Sequence, residues 1–203
     1  MHQVEVADPE SPEAQQLLAC LSESLQQITG SSGTASFDVN DVKVEGACFV
    51  VARSVSGDAL GCGALRPLEP GVAELKRMFA MPGSKGVGSS ILSFLERKAS
   101  ELGYGQVWLE TRKVNERAVA FYEHRGYTPI VNFGRYFGRP EAICLGKHLP
   151  SSQQIAAEPQ QPANPSGKGA SCGKFSLSSN VIWEINDNHS KDIDSGTSNS
   201  EYT

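Results

Sequence analysis

The chain has 203 residues, of which 39% are hydrophobic and 20% are charged, and its formal net charge is −5. This length favours one domain, or one domain with a tail. The negative charge argues against a broad nucleic-acid surface, because phosphate binding needs clustered Lys and Arg. Any anionic ligand must therefore be held locally, by backbone N–H groups and one or two cations.

The first 149 residues show steady apolar periodicity and predict alternating strands and helices in the order βαβββαβαββ. A short strand at residues 4–6 precedes a helix that Ser11 caps, that has Pro12 at its first position and that ends at Gly30. The other predicted elements are strands at 47–53, 59–65 and 72–81, a helix at 88–102, a strand at 106–111, a helix at 115–125, and strands at 127–133 and 143–149. This order predicts an α/β fold, a mixed sheet with helices on both faces.

The composition changes at Pro150. Residues 150–203 contain eleven Ser and four Pro but few apolar side chains, so they cannot bury enough surface to offset the entropy of ordering. We therefore predict a folded domain at 1–149 and a disordered, low-complexity tail at 150–203. The apolar segment 175–185 is read as a transient strand, with docking onto another surface as the alternative.

The cysteines and the N-terminus indicate the compartment. Five scattered cysteines form no C-x-x-C pair, so neither a disulfide framework nor a structural zinc site is expected. Buried free thiols in a reducing compartment are the simpler interpretation. The chain has no long apolar run and its N-terminus is acidic, unlike a transmembrane segment or a signal peptide. These features predict a cytoplasmic protein with no membrane partner and no metal.

A glycine-rich turn at 83–90 connects a predicted strand to the start of a predicted helix. Glycines allow a ligand to approach the backbone, and a helix N-terminus offers unpaired N–H groups, a combination that holds phosphates. Lys85 adds a positive charge, although a plain tight turn remains the alternative. Ser89 stands where a Walker loop needs Lys, and Ile91 stands where a dinucleotide fingerprint needs its third Gly.

A second motif, N-x-x-A-x-x-F-Y-x-x-x-G-Y, covers residues 115–127. Asn115 can cap the predicted helix. Ala118, Val119 and Tyr122 follow Asn115 at helical spacing and share its face. Tyr122 can alternatively be a core residue whose hydroxyl is hydrogen-bonded inside the protein.

The turn motif K-G-V-G-S-S-I-L at 85–92 and the second motif at 115–127, in this order, resemble the GNAT superfamily of acyl-CoA N-acyltransferases over about residues 3–149. The resemblance implies that the strands at 72–81 and 106–111 splay apart around the pantetheine arm of acetyl-CoA. It also implies that Tyr122 protonates the departing thiolate. The implied cofactor-binding residues are Met78, Phe79, Ala80, Gly83, Ser84, Lys85, Gly86, Val87, Gly88, Ser89, Ser90 and Asn115.

The sequence departs from the family pattern Q/R-x-x-G-x-G/A at its first position. Aligned on the glycines of the turn, the Arg or Gln position falls on Gly83. Lys85 is the predicted replacement for the lost cation.

The implied reaction is direct attack of a neutral amine on a thioester, so a base must first remove a proton from the ammonium. Glu74 is the first candidate, because strand alternation predicts that it shares a face with Met78 and Ala80 and because relatives often use an acid on this strand. A structural ion pair with Arg77 is the alternative role. Glu110 is the second candidate.

The resemblance indicates where the acceptor binds but not what it is. The loop after the first helix and the segment between the last two strands usually shape the acceptor site. Asp38 and Asp41 could attract a cationic amine there, and Arg135 and Arg139 could hold a carboxylate. We predict acetyl transfer to the primary amine of a small molecule.

Four alternatives stay open at this point. The acceptor can be a peptide or protein amine, the chain can be a non-catalytic acyl-CoA-binding regulatory module, or the tail can recruit a partner through residues 181–185. The oligomeric state is also open, with a homodimer among the possibilities.

Overall fold

The computed structural model describes residues 2–150, so the predicted tail from residue 151 onward, with its apolar segment 175–185, lies outside the described residues. The helices and strands are β1 His2–Val6, α1 Pro12–Thr29, β2 Cys48–Ser54, β3 Ala59–Glu69, β4 Val72–Ala80, α2 Val87–Glu101, β5 Gln106–Arg112, α3 Glu116–Glu123, β6 Thr128–Ile130 and β7 Ala142–His148. Short 3₁₀ turns lie at Thr34–Ser36, Val39–Val42 and Gly134–Tyr136. The predicted order βαβββαβαββ is confirmed.

The seven strands form one mixed sheet in the order β1-β2-β3-β4-β5-β7-β6. Strands β4 and β5 are parallel, and every other neighbouring pair is antiparallel. A parallel pair needs a crossover connection, which α2 provides. In this strand order the parallel pair lies at the centre of the sheet. Helix α2 connects its two strands.

Each face of the sheet has its own core. Helix α2 packs one face, where Leu75, Ile91 and Leu109 are almost fully buried. Helix α1 packs the other face, where Leu17 and Phe49 are almost fully buried. Burying an aliphatic or aromatic side chain of this size stabilises the fold by about 1.5–3 kcal/mol. The predicted arrangement of helices on both faces is confirmed.

The ends of α1 follow the local sequence. The Ser11 hydroxyl accepts a hydrogen bond of 3.3 Å from the Ala14 N–H, and Pro12 occupies the first helical position. Gly30 ends the helix in a left-handed conformation with φ 73°, which glycine adopts without strain. The loop that follows, residues 31–47, packs Phe37 and Val42 into the core on the α1 face.

The thiols of the described part are free, and those of Cys48, Cys62 and Cys144 are buried as predicted. Burial raises the pKa of Cys62 to about 12 and that of Cys48 to about 11. Between residues 2 and 150, no helix combines the length and apolar character needed to cross a membrane.

Candidate active site

Strands β4 and β5 separate after a short stretch of pairing. Their last paired residues are Glu74 and Trp108, although β4 continues to Ala80 and β5 continues to Arg112. Both strands stay paired with their outer neighbours beyond this point. The predicted splay is therefore confirmed, and it leaves a gap whose edges are backbone groups that can pair with an extended ligand.

The glycine-rich turn leads from β4 into the first turn of α2. Gly83 and Gly86 have φ values of 83° and 77°, which other residues rarely adopt. Gly86 is the N-cap and offers no side-chain hydrogen bond. Within residues 2–150, the N–H groups of Gly88 and Ser89 have no hydrogen-bond acceptor. Two unpaired N–H groups at a helix N-terminus form a site that favours anions.

Gly88 brings the turn, the end of β4 and α3 together. A Cβ atom at Gly88 would lie 3.8 Å from Cζ of Phe121 and 3.9 Å from Cβ of Ala80. A larger side chain at Gly88 would therefore extend toward Phe121 and the end of β4, close to the unpaired N–H groups. An anionic group with an extended arm, as in acetyl-CoA, fits these residues: the anion at the turn and the arm in the gap.

The other predicted cofactor residues contribute in different ways. Val87 is buried in the α2 core, and the side chain of Phe79 packs on the α1 face, so only their backbones are available to a ligand. Lys85 is exposed and has no ionic partner among the described residues. The hydroxyls of the two outer serines are bonded within the protein, Ser84 to the Met81 carbonyl and Ser90 to His2.

Asn115 and Tyr122 occupy the start and the second turn of α3. The Asn115 side chain accepts a hydrogen bond of 3.3 Å from the Ala118 N–H, which confirms the predicted cap. The Tyr122 ring packs edge-on against Phe121 and Tyr127, with centroid distances of 5.1 and 5.5 Å. Burial raises the pKa of Tyr122, so its hydroxyl remains protonated near neutral pH.

The Tyr122 hydroxyl has no hydrogen-bond partner in the described part of the chain. A core tyrosine would be expected to bond its hydroxyl inside the protein. Tyr122 also belongs to the same packed cluster as Met78 and Ala80, the last residues of β4 on that face. The Tyr122 ring therefore lies in the cluster at the end of β4, and its unpartnered hydroxyl carries a proton near neutral pH.

The predicted placement of Glu74 is wrong. Ala64 pairs with Lys76 but Cys62 pairs with Phe79, so β4 carries an extra residue at this point. Arg77 takes up the bulge with a φ of 52°, the only positive value at a non-glycine residue between 2 and 150. A bulge reverses the alternation of side chains beyond it. Glu74 therefore lies on the α1 face, opposite to Met78 and Ala80.

Glu74 is also held in a buried ion-pair network. Its Oε2 accepts a 2.9 Å hydrogen bond from Nε of Arg66, and its Oε1 lies 2.9 Å from Nζ of Lys76. Lys76 in turn donates to the Tyr136 hydroxyl at 2.5 Å. The predicted pairing with Arg77 is wrong, since Arg77 donates to the Gly33 carbonyl at 3.0 Å instead. Both oxygens of Glu74 are engaged by cations, which suits a structural role.

Glu110 is the acid that the structure leaves available. It alternates along β5 with the buried Leu109, so it lies on the α1 face, near the gap. Burial raises the pKa of Glu110, and the charges of Lys76 and Arg112 offset part of this effect. Its carboxylate has no hydrogen-bond or ionic partner within residues 2–150. A half-buried, unpaired carboxylate with a raised pKa is suited to accepting a proton.

The acceptor-site candidates separate into engaged and available groups. Asp41 is paired with Arg66, and Asp38 caps the 3₁₀ turn at 39–42 by accepting from the Asn40 N–H. Arg135 donates to the Ala35 carbonyl. Arg139 keeps a guanidinium without a partner in the described chain, and its charge acts on Glu110. Arg139 is therefore the cation that remains available to an acceptor.

Two side chains near the turn were not predicted. Arg125 donates through Nη2 to the Ser89 hydroxyl, and Nε2 of His2 lies 2.7 Å from the Ser90 hydroxyl. Both contacts join segments far apart in sequence, so no local pattern indicates them. The sequence indicates Arg125 only through its position three residues after Tyr122. This position can be interpreted only when the packing of α3 beside α2 is known.

Comparison with known proteins identifies the class of the fold. A solved acyl-CoA N-acyltransferase structure from Klebsiella pneumoniae aligns with a TM-score of 0.62 and 27% identity, over 73% of this chain and 98% of that one. An Azospirillum brasilense protein named IAA acetyltransferase is 35% identical over 104 residues, which cover 50% of this chain and 67% of that protein. The Bacillus subtilis N-acetyltransferase YsnE is 29% identical over 140 residues, 93% of its length. These relatives and the seven-stranded sheet define an acyltransferase.

The model of the acetyltransferase (GNAT) family matches residues 15–127. The chain belongs to this family. Its match to a Schizosaccharomyces pombe N-acetyltransferase spans 50% of that relative's length, and its match to the Escherichia coli protein YjgM spans 47%.

Proposed function

We propose that this chain transfers an acetyl group from acetyl-CoA to the primary amine of a small molecule, by direct attack. One observation carries the proposal: the gap between β4 and β5 has the anion-binding turn and Tyr122 on one face and an unpaired Glu110 on the other. When bound, acetyl-CoA supplies an activated acetyl thioester. The gap is the place where this group and an acceptor amine can meet.

The backbone is the main binding element in this proposal. The unpaired N–H groups of Gly88 and Ser89 hold the phosphates, and the free edge of β4 at Met78 and Ala80 pairs with the extended arm. Asn115 keeps its side-chain amide available after capping α3 through its oxygen. Among the other predicted cofactor residues, Phe79 and Val87 can contribute only through the backbone, and the hydroxyls of Ser84 and Ser90 are already bonded within the protein.

Glu110 replaces Glu74 as the proposed base. An alkylammonium has a pKa of ~10.4, so it must give up a proton before nitrogen can form a bond to carbon. Glu110 lies half-buried on the acceptor face and is free to take that proton, whereas Oε2 of Glu74 is hydrogen-bonded to Arg66 and Oε1 is ion-paired with Lys76. Tyr122, on the other face, donates its proton to the sulfur as the carbon–sulfur bond breaks.

A small molecule is favoured over a protein as the acceptor for two reasons. The Azospirillum brasilense relative is named IAA acetyltransferase, a name that refers to a small molecule. Arg139, which has no partner within residues 2–150, lies within electrostatic range of Glu110. An amine that also carries a carboxylate would place its nitrogen near Glu110 and its negative charge near Arg139.

An acceptor panel tests the proposal. The full chain is incubated with acetyl-CoA and, in separate reactions, an amino acid, an amine without a carboxylate and a peptide, and thiol release is followed. We expect release that depends on the amine and that is fastest with the carboxylate-bearing amine. Glu101→Gln, on the far end of α2, is the charge-matched control for Glu110→Gln. Acetyl-CoA binding without release in any reaction would instead support a regulatory module.

A further inference from the structure

Arg125 lies at the anion-binding turn although it comes from a different helix. It follows α3 in the chain, and its Nη2 donates to the hydroxyl of Ser89 in the first turn of α2. Its guanidinium also lies 5.8 Å above the ring of Phe121. The same ring is 3.8 Å from the position that a Cβ of Gly88 would occupy. The cation therefore reaches the first turn of α2, the turn that carries the two unpaired N–H groups.

The electrostatic setting of the turn favours an anion more than a neutral hydroxyl. The first turn of α2 carries no acidic residue, and the chain has no salt bridge to Arg125 within its described residues. The Ser89 hydroxyl is a neutral acceptor with one oxygen, whereas a phosphate carries the opposite charge and can accept two parallel bonds from a guanidinium. Lys85, the cation within the turn, is exposed and contacts no residue that would fix its position.

We infer that Arg125 binds the pyrophosphate of acetyl-CoA, exchanging its bond to Ser89 for bonds to phosphate oxygens. The inference rests on the proposed acetyl-CoA site and adds a side-chain ligand to the backbone N–H groups. A planar guanidinium suits this role, because it can donate two parallel bonds to a phosphate and keeps its orientation by stacking on Phe121. The resulting site combines two backbone donors with one fixed cation.

Isothermal titration of the full chain tests this role without relying on turnover. Arg125→Gln is expected to raise the Kd of acetyl-CoA by about 10- to 100-fold, the effect of one or two charge-assisted hydrogen bonds. The increase should be the same for 3′-dephospho-acetyl-CoA, which keeps the pyrophosphate. Arg53→Gln is the matched control, because it removes the same charge from an arginine that pairs with Glu13 of α1, on the opposite face of the sheet from the turn. Its Kd should stay within twofold of the wild type.

The outcomes separate this inference from the proposed function. An unchanged Kd for Arg125→Gln, with normal wild-type binding, would overturn the role of Arg125 alone. A loss that disappears with 3′-dephospho-acetyl-CoA would also overturn it, because the arginine would then contact the 3′-phosphate. No binding by the wild type would refute the proposed function itself. If Arg125→Gln melts early, Arg125→Lys replaces it, and an intermediate rise in Kd is the supporting result.

Discussion

Replacing Tyr122 with Phe separates catalysis from packing. The substitution removes one oxygen and keeps the ring that packs against Phe121 and Tyr127. A hydrogen-bonded core tyrosine would lose about 1 kcal/mol of stability, or about 2–4 °C in Tm for a domain of this size. Here the hydroxyl has no partner within residues 2–150, so we expect Tm to stay within about 2 °C.

The expected effect of Tyr122→Phe on catalysis is much larger. A positioned general acid contributes about 10²–10⁴-fold, and a thiolate with a pKa of ~8.5 needs less assistance than most leaving groups. We therefore expect kcat to fall about 10- to 1,000-fold, with the Kd of acetyl-CoA unchanged. Steady-state kinetics, calorimetry and thermal melting on this single variant give all three values. A kcat within twofold of the wild type, together with a lower Tm, would show that Tyr122 is structural.

Three further substitutions test the remaining site residues. Glu110→Gln should lower kcat by about 10²–10⁴-fold and remove the acidic limb of its pH profile. The pKa of Glu110 is raised in the folded state, so the charged carboxylate lowers the stability of the fold as pH rises. The Glu110→Gln variant removes this charge, and its Tm at neutral pH should not fall below that of the wild type. Glu74→Gln breaks a buried ion-pair network with Arg66 and Lys76, so the free energy of unfolding, measured with urea, should fall by about 3–5 kcal/mol. Normal stability with a large loss of kcat would instead show that Glu74 is the base. Gly88→Val places a side chain next to the unpaired N–H groups without requiring a strained φ. Acetyl-CoA binding should therefore be lost in calorimetry while the melting curve is retained. An unchanged affinity would refute the assignment of the turn as the phosphate-binding site.

The order of elements could be predicted because each one has a local signal. Ser11, Pro12 and Gly30 fix the ends of α1, and the glycines of the turn fix the start of α2. The two motifs also identify the fold, since both describe backbone requirements: a turn with positive φ and a capped helix. Local chemistry determines such features, so they can be recognised without knowledge of the contacts across the sheet.

The face of Glu74 could not be predicted, because a single bulge at Arg77 reverses the alternation of β4. Arg77 is an ordinary strand residue by composition, and its positive φ comes with tertiary contacts, among them the hydrogen bond to the Gly33 carbonyl. The cation at the turn was missed for a related reason. Arg125 reaches Ser89 only through the packing of α3 beside α2, a contact over 36 positions of sequence.

The central claim is that the chain transfers acetyl groups to an amine, and the balance of products tests it most directly. The full chain is incubated with acetyl-CoA and the best amine of the panel, and the free CoA thiol and the N-acetylated amine are measured in the same samples. The account predicts that the two products form in equal amounts and that neither forms without the amine. Thiol release that exceeds the acetylated amine would indicate hydrolysis of the thioester, and binding of acetyl-CoA with no release would indicate a non-catalytic module; either result would contradict the account.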